Sequence, residues 1–434
     1  MRMTRFILRC STVSVLLLYG FQAHLAGQDT QKPADTSQSP QPPDPVDPCL
    51  KSTCRDVPAR DTLDTFDLPK RKFDVKYRAL VGGFAQGAGF AGGIQATTAE
   101  SIPHVQVRAN LLTSTHLDQR FDVGAKFDDS ANKNHVDIWF SYVKRQTDFY
   151  GVGPHNPNKV RATFDTDRRS YQATYSRDIA NHVQSGVYAQ VRGTRSGQGL
   201  DKKLPPITEG FSGIPSVPAE QWIPGFLTTT EILSYGGFLQ WDVRDRSKGL
   251  TQGIDIYLRG ASNDGIRTSE AFGDFGWIEG EADIRGYIPL GGPGTSLALR
   301  GEHQFKSPKG GSQIPFYDLS FLGGHDFVRG YDAYRFRGNN VLIYAAEVRR
   351  TIRRVSVNRG WDVFGFVDTG RVWGDSRSLD NPIVLLNQQF KLSPWRTGVG
   401  GGFEYRRSSG FAMRAELGHS KEGNPIYLLF SRGF

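Results

Sequence analysis

From about residue 75 to the end of the chain, apolar and polar residues alternate with a period of two. That period belongs to strands with one polar and one apolar face. In 295–305, TSLALRGEHQF, Leu297, Leu299, Gly301, His303 and Phe305 share one face, while Ser296, Ala298, Arg300, Glu302 and Gln304 share the other. Residues 277–287 place Glu279, Glu281, Asp283 and Arg285 together, opposite Ile278, Ala282 and Ile284. In 253–259, Ile254, Ile256 and Leu258 oppose Asp255 and Arg259. In 136–142, Val136, Ile138, Phe140 and Tyr142 oppose Asp137, Trp139 and Ser141.

The pattern predicts an all-β chain, and the polar face chooses between a soluble sandwich and a membrane barrel. A sandwich strand often turns a charge or two outward. Here several successive strands carry charges of both signs on one face, as in a polar lumen with apolar residues toward lipid. Candidate strands run 88–100, 104–115, 117–128, 135–147, 162–179, 182–197, 234–247, 252–264, 275–290, 295–308 and 313–322. Five more follow at 339–352, 361–373, 396–407, 410–420 and 425–434. These make about 16 antiparallel strands, an even number as bacterial single-chain barrels require. Residues 198–233, rich in Pro and Gly, read as one long extracellular loop.

The first residues bear on the compartment. Arg2, Arg5 and Arg9 precede the apolar run from Val13 to Tyr19, and Leu25-Ala-Gly27 supplies a small-residue exit. A basic start, a short apolar core and small residues predict a signal peptide over 1–27. The run is shorter than the ~20 residues a spanning helix needs. An exported chain without an apolar helix either is soluble or crosses a membrane as a closed barrel.

Residues 28–74 are rich in Pro, Asp, Ser and Gln and too poor in large apolar residues to bury a core, so a disordered periplasmic arm is expected there. Cys49 and Cys54 lie in this arm. In an oxidising compartment a local disulfide is the expectation, since no His or further Cys completes a metal-ligand set.

Composition removes other classes. The chain has 434 residues with 50 Gly and 12% aromatics, which favours strands and turns. The net charge of +9 comes from 53 Lys and Arg against 44 Asp and Glu, a mixed distribution that suits solvated loops and a polar lumen better than nucleic acid. Gly87-Ala-Gly-Phe-Ala-Gly92 matches G-x-G-x-x-G in form, but no strand-then-helix unit surrounds it. G-x-S-x-G and H-E-x-x-H do not occur, and the nine histidines show no ligand spacing. No catalytic, cofactor or metal residue is expected, and the chain is not expected to be an enzyme.

The last strand, PIYLLFSRGF, carries Leu428, Phe430 and Phe434 on one face, with Arg432 as a departure. Its terminal aromatic resembles the C-terminal insertion signal of outer-membrane barrels. Residues 323–331, GGHDFVRGY, resemble the conserved loop of the BamA/TamA-like outer-membrane assembly and translocation superfamily, also called the bacterial surface antigen domain. Phe366-Val-Asp368 is similar to that family's Phe-x-Asp motif. Trp241-Asp-Val-Arg-Asp245 and Phe149-Tyr-Gly-Val-Gly153 resemble two further segments of it.

The resemblance implies a 16-stranded barrel whose sixth loop folds back into the lumen, with five strands after it. It implies that Val328, Arg329, Gly330 and Tyr331 form the loop tip. Asp368 stands at the family's position for the partner of Arg329, and Glu347, alternating opposite Tyr344, Ala346 and Val348, is a second candidate.

The implied function is membrane-protein insertion or polypeptide translocation, with outer-membrane lipids and unfolded polypeptides as partners. The arm at 28–74 does not fit a polypeptide-transport-associated domain, so a barrel-only member is expected, with a separate periplasmic partner supplying client capture. A passive channel or a lipid-acting barrel enzyme are the alternatives.

Overall fold

A computed structural model describes residues 75–83, 90–98, 104–129, 131–155, 161–199, 204–210, 223–245, 252–267, 274–291, 294–356, 359–374, 393–406 and 412–430. Residues 1–27, read as a signal peptide, the arm with Cys49 and Cys54, and Phe434 lie outside the described residues. The strands are β1 (Val75–Gly83), β2 (Phe90–Thr98), β3 (Val105–Ser114), β4 (Gln119–Asp129), β5 (Asn134–Phe149), β6 (Ala162–Ala180) and β7 (Val183–Gln198). They continue with β8 (Thr229–Asp242), β9 (Gly253–Arg267), β10 (Gly276–Pro289), β11 (Thr295–Pro308), β12 (Ser320–Leu322) and β13 (Phe336–Gly338). The last are β14 (Asn340–Ser356), β15 (Arg359–Trp373), β16 (Arg396–Arg406), β17 (Ala412–His419) and β18 (Ile426–Phe430).

Sixteen of these form one antiparallel sheet in sequence order, interrupted only where β12 and β13 pair with each other outside it. The first and last strands, β1 and β18, approach each other, which brings the sheet round into a barrel. No ladder joins these two strands among the described residues.

Period-two alternation sets the two faces. Ile138, Val187, Leu111 and Leu428 stand exposed on the outer surface, whereas Asp137, Asp255, Asp283 and Glu302 are buried inside. Buried charges are tolerated best when paired, and most are paired here. Arg259 reaches Glu279 at 2.6 Å, Arg285 reaches Asp283 at 2.8 Å, and Arg300 reaches the same Asp283 at 3.2 Å.

The strand reading needs two corrections. Residues 313–322 are not a wall strand. Phe316–Asp318 forms a 3-10 turn and β12 pairs with β13, all within the loop between β11 and β14. Its apolar side chains, Ile314, Phe316, Tyr317 and Leu319, pack with Phe149, Phe164, Phe226, Ile232 and Trp277 instead of facing lipid. A short apolar run looks the same in either setting.

Conversely, the barrel opens with Val75–Gly83 and not with 88–100; β1 pairs along its whole length with β2, Val75 opposite Thr98 and Gly83 opposite Phe90. The basic residues Lys70, Arg71, Lys72 and Lys76 blurred its alternation with the preceding arm. The two errors cancel in the strand count. The segment read as one loop over 198–233 also contributes structure, because Ile207, Ile223 and Phe226 bury in the same apolar cluster.

Candidate functional site

The loop between β11 and β14 turns inward, and its geometry starts from its glycines. Gly330 has a φ of 106°, a conformation that side chains with a Cβ rarely adopt. There the chain reverses against the wall, where Ser420 donates from Oγ to the Gly330 carbonyl at 2.5 Å and Tyr427 donates to that of Tyr331 at 3.0 Å. The wall is cut to fit: a Cβ on Gly398 of β16 would lie 1.6 Å from the Arg329 carbonyl oxygen. Val328 and Tyr331 are buried with Leu322, Phe327, Phe336, Val341, Ile343 and Val372.

This apolar seat presents Arg329 to a carboxylate-rich face of the lumen. Its Nε donates to Asp368 Oδ2 at 2.7 Å and its Nη2 to Asp368 Oδ1 at 2.8 Å, a two-pronged match of guanidinium to carboxylate. The Arg329 backbone N–H donates to the same Asp368 Oδ2 at 3.1 Å. The third prong, Nη1, donates to Glu347 Oε2 at 2.9 Å. Beneath them the Phe366 ring centroid lies 3.5 Å from the Arg329 Cζ, so the cation also rests on a π-face.

Behind this pair stands a second, wall-only layer. Arg414 on β17 donates to Glu347 Oε2 at 2.5 Å, to Glu404 Oε2 at 3.2 Å and also to Glu416, and it stacks 3.7 Å from the Phe364 centroid. Arg349 donates to Glu347 at 2.9 Å and lies 3.3 Å from Glu404. Glu347 is therefore held by three guanidiniums, whereas among the described residues the Asp368 carboxylate is bonded by Arg329 alone. Asp368 depends on the loop and Glu347 does not.

The base of the loop is fixed to another part of the wall. Asp318 takes Arg168 of β6 at 3.0 Å and Arg192 of β7 at 2.8 Å, and Tyr317 shares a 2.7 Å hydrogen bond with Thr230 of β8. The loop thus spans from the β6–β8 wall to the β14–β17 wall, tied at each end by buried charge. Beyond the tip, Arg335 pairs with Glu422 at 2.6 Å. The Phe149–Gly153 segment packs against the loop, with Tyr150 donating to Asp332 at 3.0 Å and the Gly153 N–H to the Arg337 carbonyl at 2.7 Å. Within Trp241–Asp245, Arg244 clasps Asp242 and lies 3.2 Å from Asp255.

The structure brings together Arg329, Asp368 and Glu347, and it seats Val328, Gly330 and Tyr331 around them. Leu428 faces outward, and Phe430 ends β18. Sequence reasoning missed Arg349, Arg414, Glu404 and Glu416 on the wall, and Asp318 in the loop. In AMRAELGH of β17 the alternation of Arg414 and Glu416 against Ala415 and Leu417 was a usable signal.

Residues 226–419 match the Omp85 superfamily domain, a stretch that runs from the approach to β8 to the end of β17 and holds the whole charge cluster. Among solved structures, the chain is similar to BamA from Haemophilus ducreyi lacking POTRA domains 1-3, with a TM-score of 0.58 and 12% identity over 83% of this chain and 70% of that one. It is also similar to CdiB from Escherichia coli, with a TM-score of 0.51 and 12% identity over 84% of this chain and 62% of that one. Likeness at that identity shows the fold. No curated protein matches the chain in sequence.

Proposed function

We propose that this chain, which carries an Omp85 superfamily domain, is an outer-membrane barrel that inserts polypeptides into the membrane through the seam between β1 and β18. The observation that carries the reading is that β1 and β18, the two ends of the sheet, approach each other with no ladder between them among the described residues. Strand edges in lipid are costly because nothing there hydrogen-bonds them. An edge that no ladder closes costs least to open and offers a template for an incoming strand.

Insertion is favoured over passage through the lumen because the plug is tied to two parts of the wall. The partners in this reading are outer-membrane lipids and unfolded polypeptides. A separate periplasmic protein supplies client capture, since the sequence of 28–74 is too poor in apolar residues to build a capture domain. The reading assigns no catalysis, cofactor or metal.

Depletion followed by quantification of the outer-membrane proteome tests it. Loss of other barrel proteins from the membrane is expected. Loss of secreted polypeptides alone would make the chain a translocator, and an unchanged proteome would overturn the reading.

A further inference from the structure

Arg337 lies in β13 on the inner side of the plug loop, 3% exposed. Its neighbours are rings: the Phe164 centroid lies 5.5 Å from its Cζ and the Tyr334 centroid 5.4 Å. On the wall, the Arg145 Cζ lies 4.7 Å from that same Tyr334 ring. Two guanidiniums therefore converge on one aromatic side chain. Among the described residues neither has a carboxylate within salt-bridge distance, Asp148 acting on Arg337 and Asp118 on Arg145 only from farther off, and the Nε of each is buried without an acceptor. The surrounding carboxylates are engaged elsewhere: Asp148 with Arg161 at 2.6 Å, Asp332 with Tyr150 and Glu422 with Arg335. A third cation, Arg396, stacks 4.4 Å from the Phe336 centroid and donates from Nη2 to the Pro154 carbonyl at 2.6 Å, while its Nε lacks an acceptor.

This is unlike the arginines of the two anchors. Arg329 and Arg414 rest on rings too, but each also holds carboxylates. A ring face offers only a quadrupole, which offsets part of the cost of burying a full charge. Burial accordingly pulls the Arg337 guanidinium below its usual range, to about 10. Tyr334 meanwhile holds a φ of 60°, a strained conformation for an aromatic residue, and its ring is met by both cations.

We infer that Arg337 and Arg145 form an anion-binding site between the plug loop and the β5 wall, taking a small oxyanion of the phosphate or sulfate type. Two planar forks match the several acceptor oxygens of such an ion, which chloride does not offer. The bound anion would bridge plug and wall, a further tie beside the Arg329 and Asp318 anchors. The site stands independently of the insertion reading, since it needs only the folded barrel.

The test uses the purified full chain in detergent, with inorganic phosphate as probe and chloride at matched ionic strength as reference. Thermal unfolding is read by the gel-mobility shift between folded and boiled barrel. Phosphate should raise the Tm of the unaltered chain and of Arg353→Gln, an exposed arginine elsewhere. In Arg337→Gln and in Arg145→Gln the apparent phosphate affinity should fall on the order of tenfold or more, the loss of one fork of charge-assisted bonds. Arg145 belongs to the wall strand, so its variant keeps the test alive should Arg337→Gln fail to fold. No phosphate-specific rise in the unaltered chain, or an equal rise in all the variants, would overturn the site.

Discussion

Replacing Arg329 with Met keeps the apolar stem on Phe366 and deletes the charge. The structure says where the cost falls. Glu347 keeps Arg349 and Arg414, but Asp368 loses both guanidinium bonds, keeps only the backbone N–H of residue 329, and remains fully buried. Stranding one partner of a buried pair costs roughly 3–5 kcal/mol. Asp368→Asn should cost less, about 1–3 kcal/mol, because Arg329 retains Glu347 at 2.9 Å and Glu416 at 3.6 Å. The double variant should be no worse than Arg329→Met alone, since the carboxylate left stranded by the first change is removed by the second.

Protease cleavage at the loop tip reports the open population when opening and closing are fast against cleavage. At about 1.4 kcal/mol per factor of ten, Arg329→Met should raise the cleavage rate at least ~100-fold while the barrel still inserts. Additive costs for the two substitutions would show that Asp368 does not depend on Arg329, and the reasoning would fail.

Asp318→Asn removes the carboxylate shared by Arg168 and Arg192, so the loop base should loosen and single-channel conductance in planar bilayers should rise. Gly398→Ala should unseat the loop tip and reproduce the Arg329→Met protease pattern. Gly286→Ala, on a strand where an added Cβ meets nothing within 4 Å, should leave cleavage unchanged. Deleting 426–434 removes the closing strand and exposes the β17 edge, and pulse-labelled protein should then fail to reach a heat-modifiable membrane form.

Alternation made most of the wall legible, because each strand contrasts a lipid face with a charged lumen face, as in Ile278 and Ile284 against Glu279 and Asp283. It failed where that contrast is absent. Val75–Gly83 follows a basic stretch, and Phe316 to Leu322 is apolar because it buries inside the barrel. Arg329, Asp368 and Glu347 could be named since they sit in or beside motifs with a family resemblance. Arg414 and Glu404 could not, for their contact depends on strand register, which sets Glu404 opposite Arg414 across the β16–β17 ladder. The lone pairing of Asp368, and the absence of any described carboxylate within salt-bridge distance of Arg337, are likewise properties of the folded arrangement.

If the barrel works by parting at β1 and β18, a disulfide across that seam should hold it shut. In a chain with Cys49 and Cys54 replaced by Ser, cysteine pairs scanned between 75–83 and 426–430 would give a seam that oxidation locks and reduction frees. The newly assembled outer-membrane barrel proteins would then be measured by pulse labelling in cells relying on that variant. The account predicts that assembly stops when the seam is locked and resumes on reduction, with each single-cysteine variant unaffected by oxidant. Undiminished assembly through a fully locked seam would contradict it.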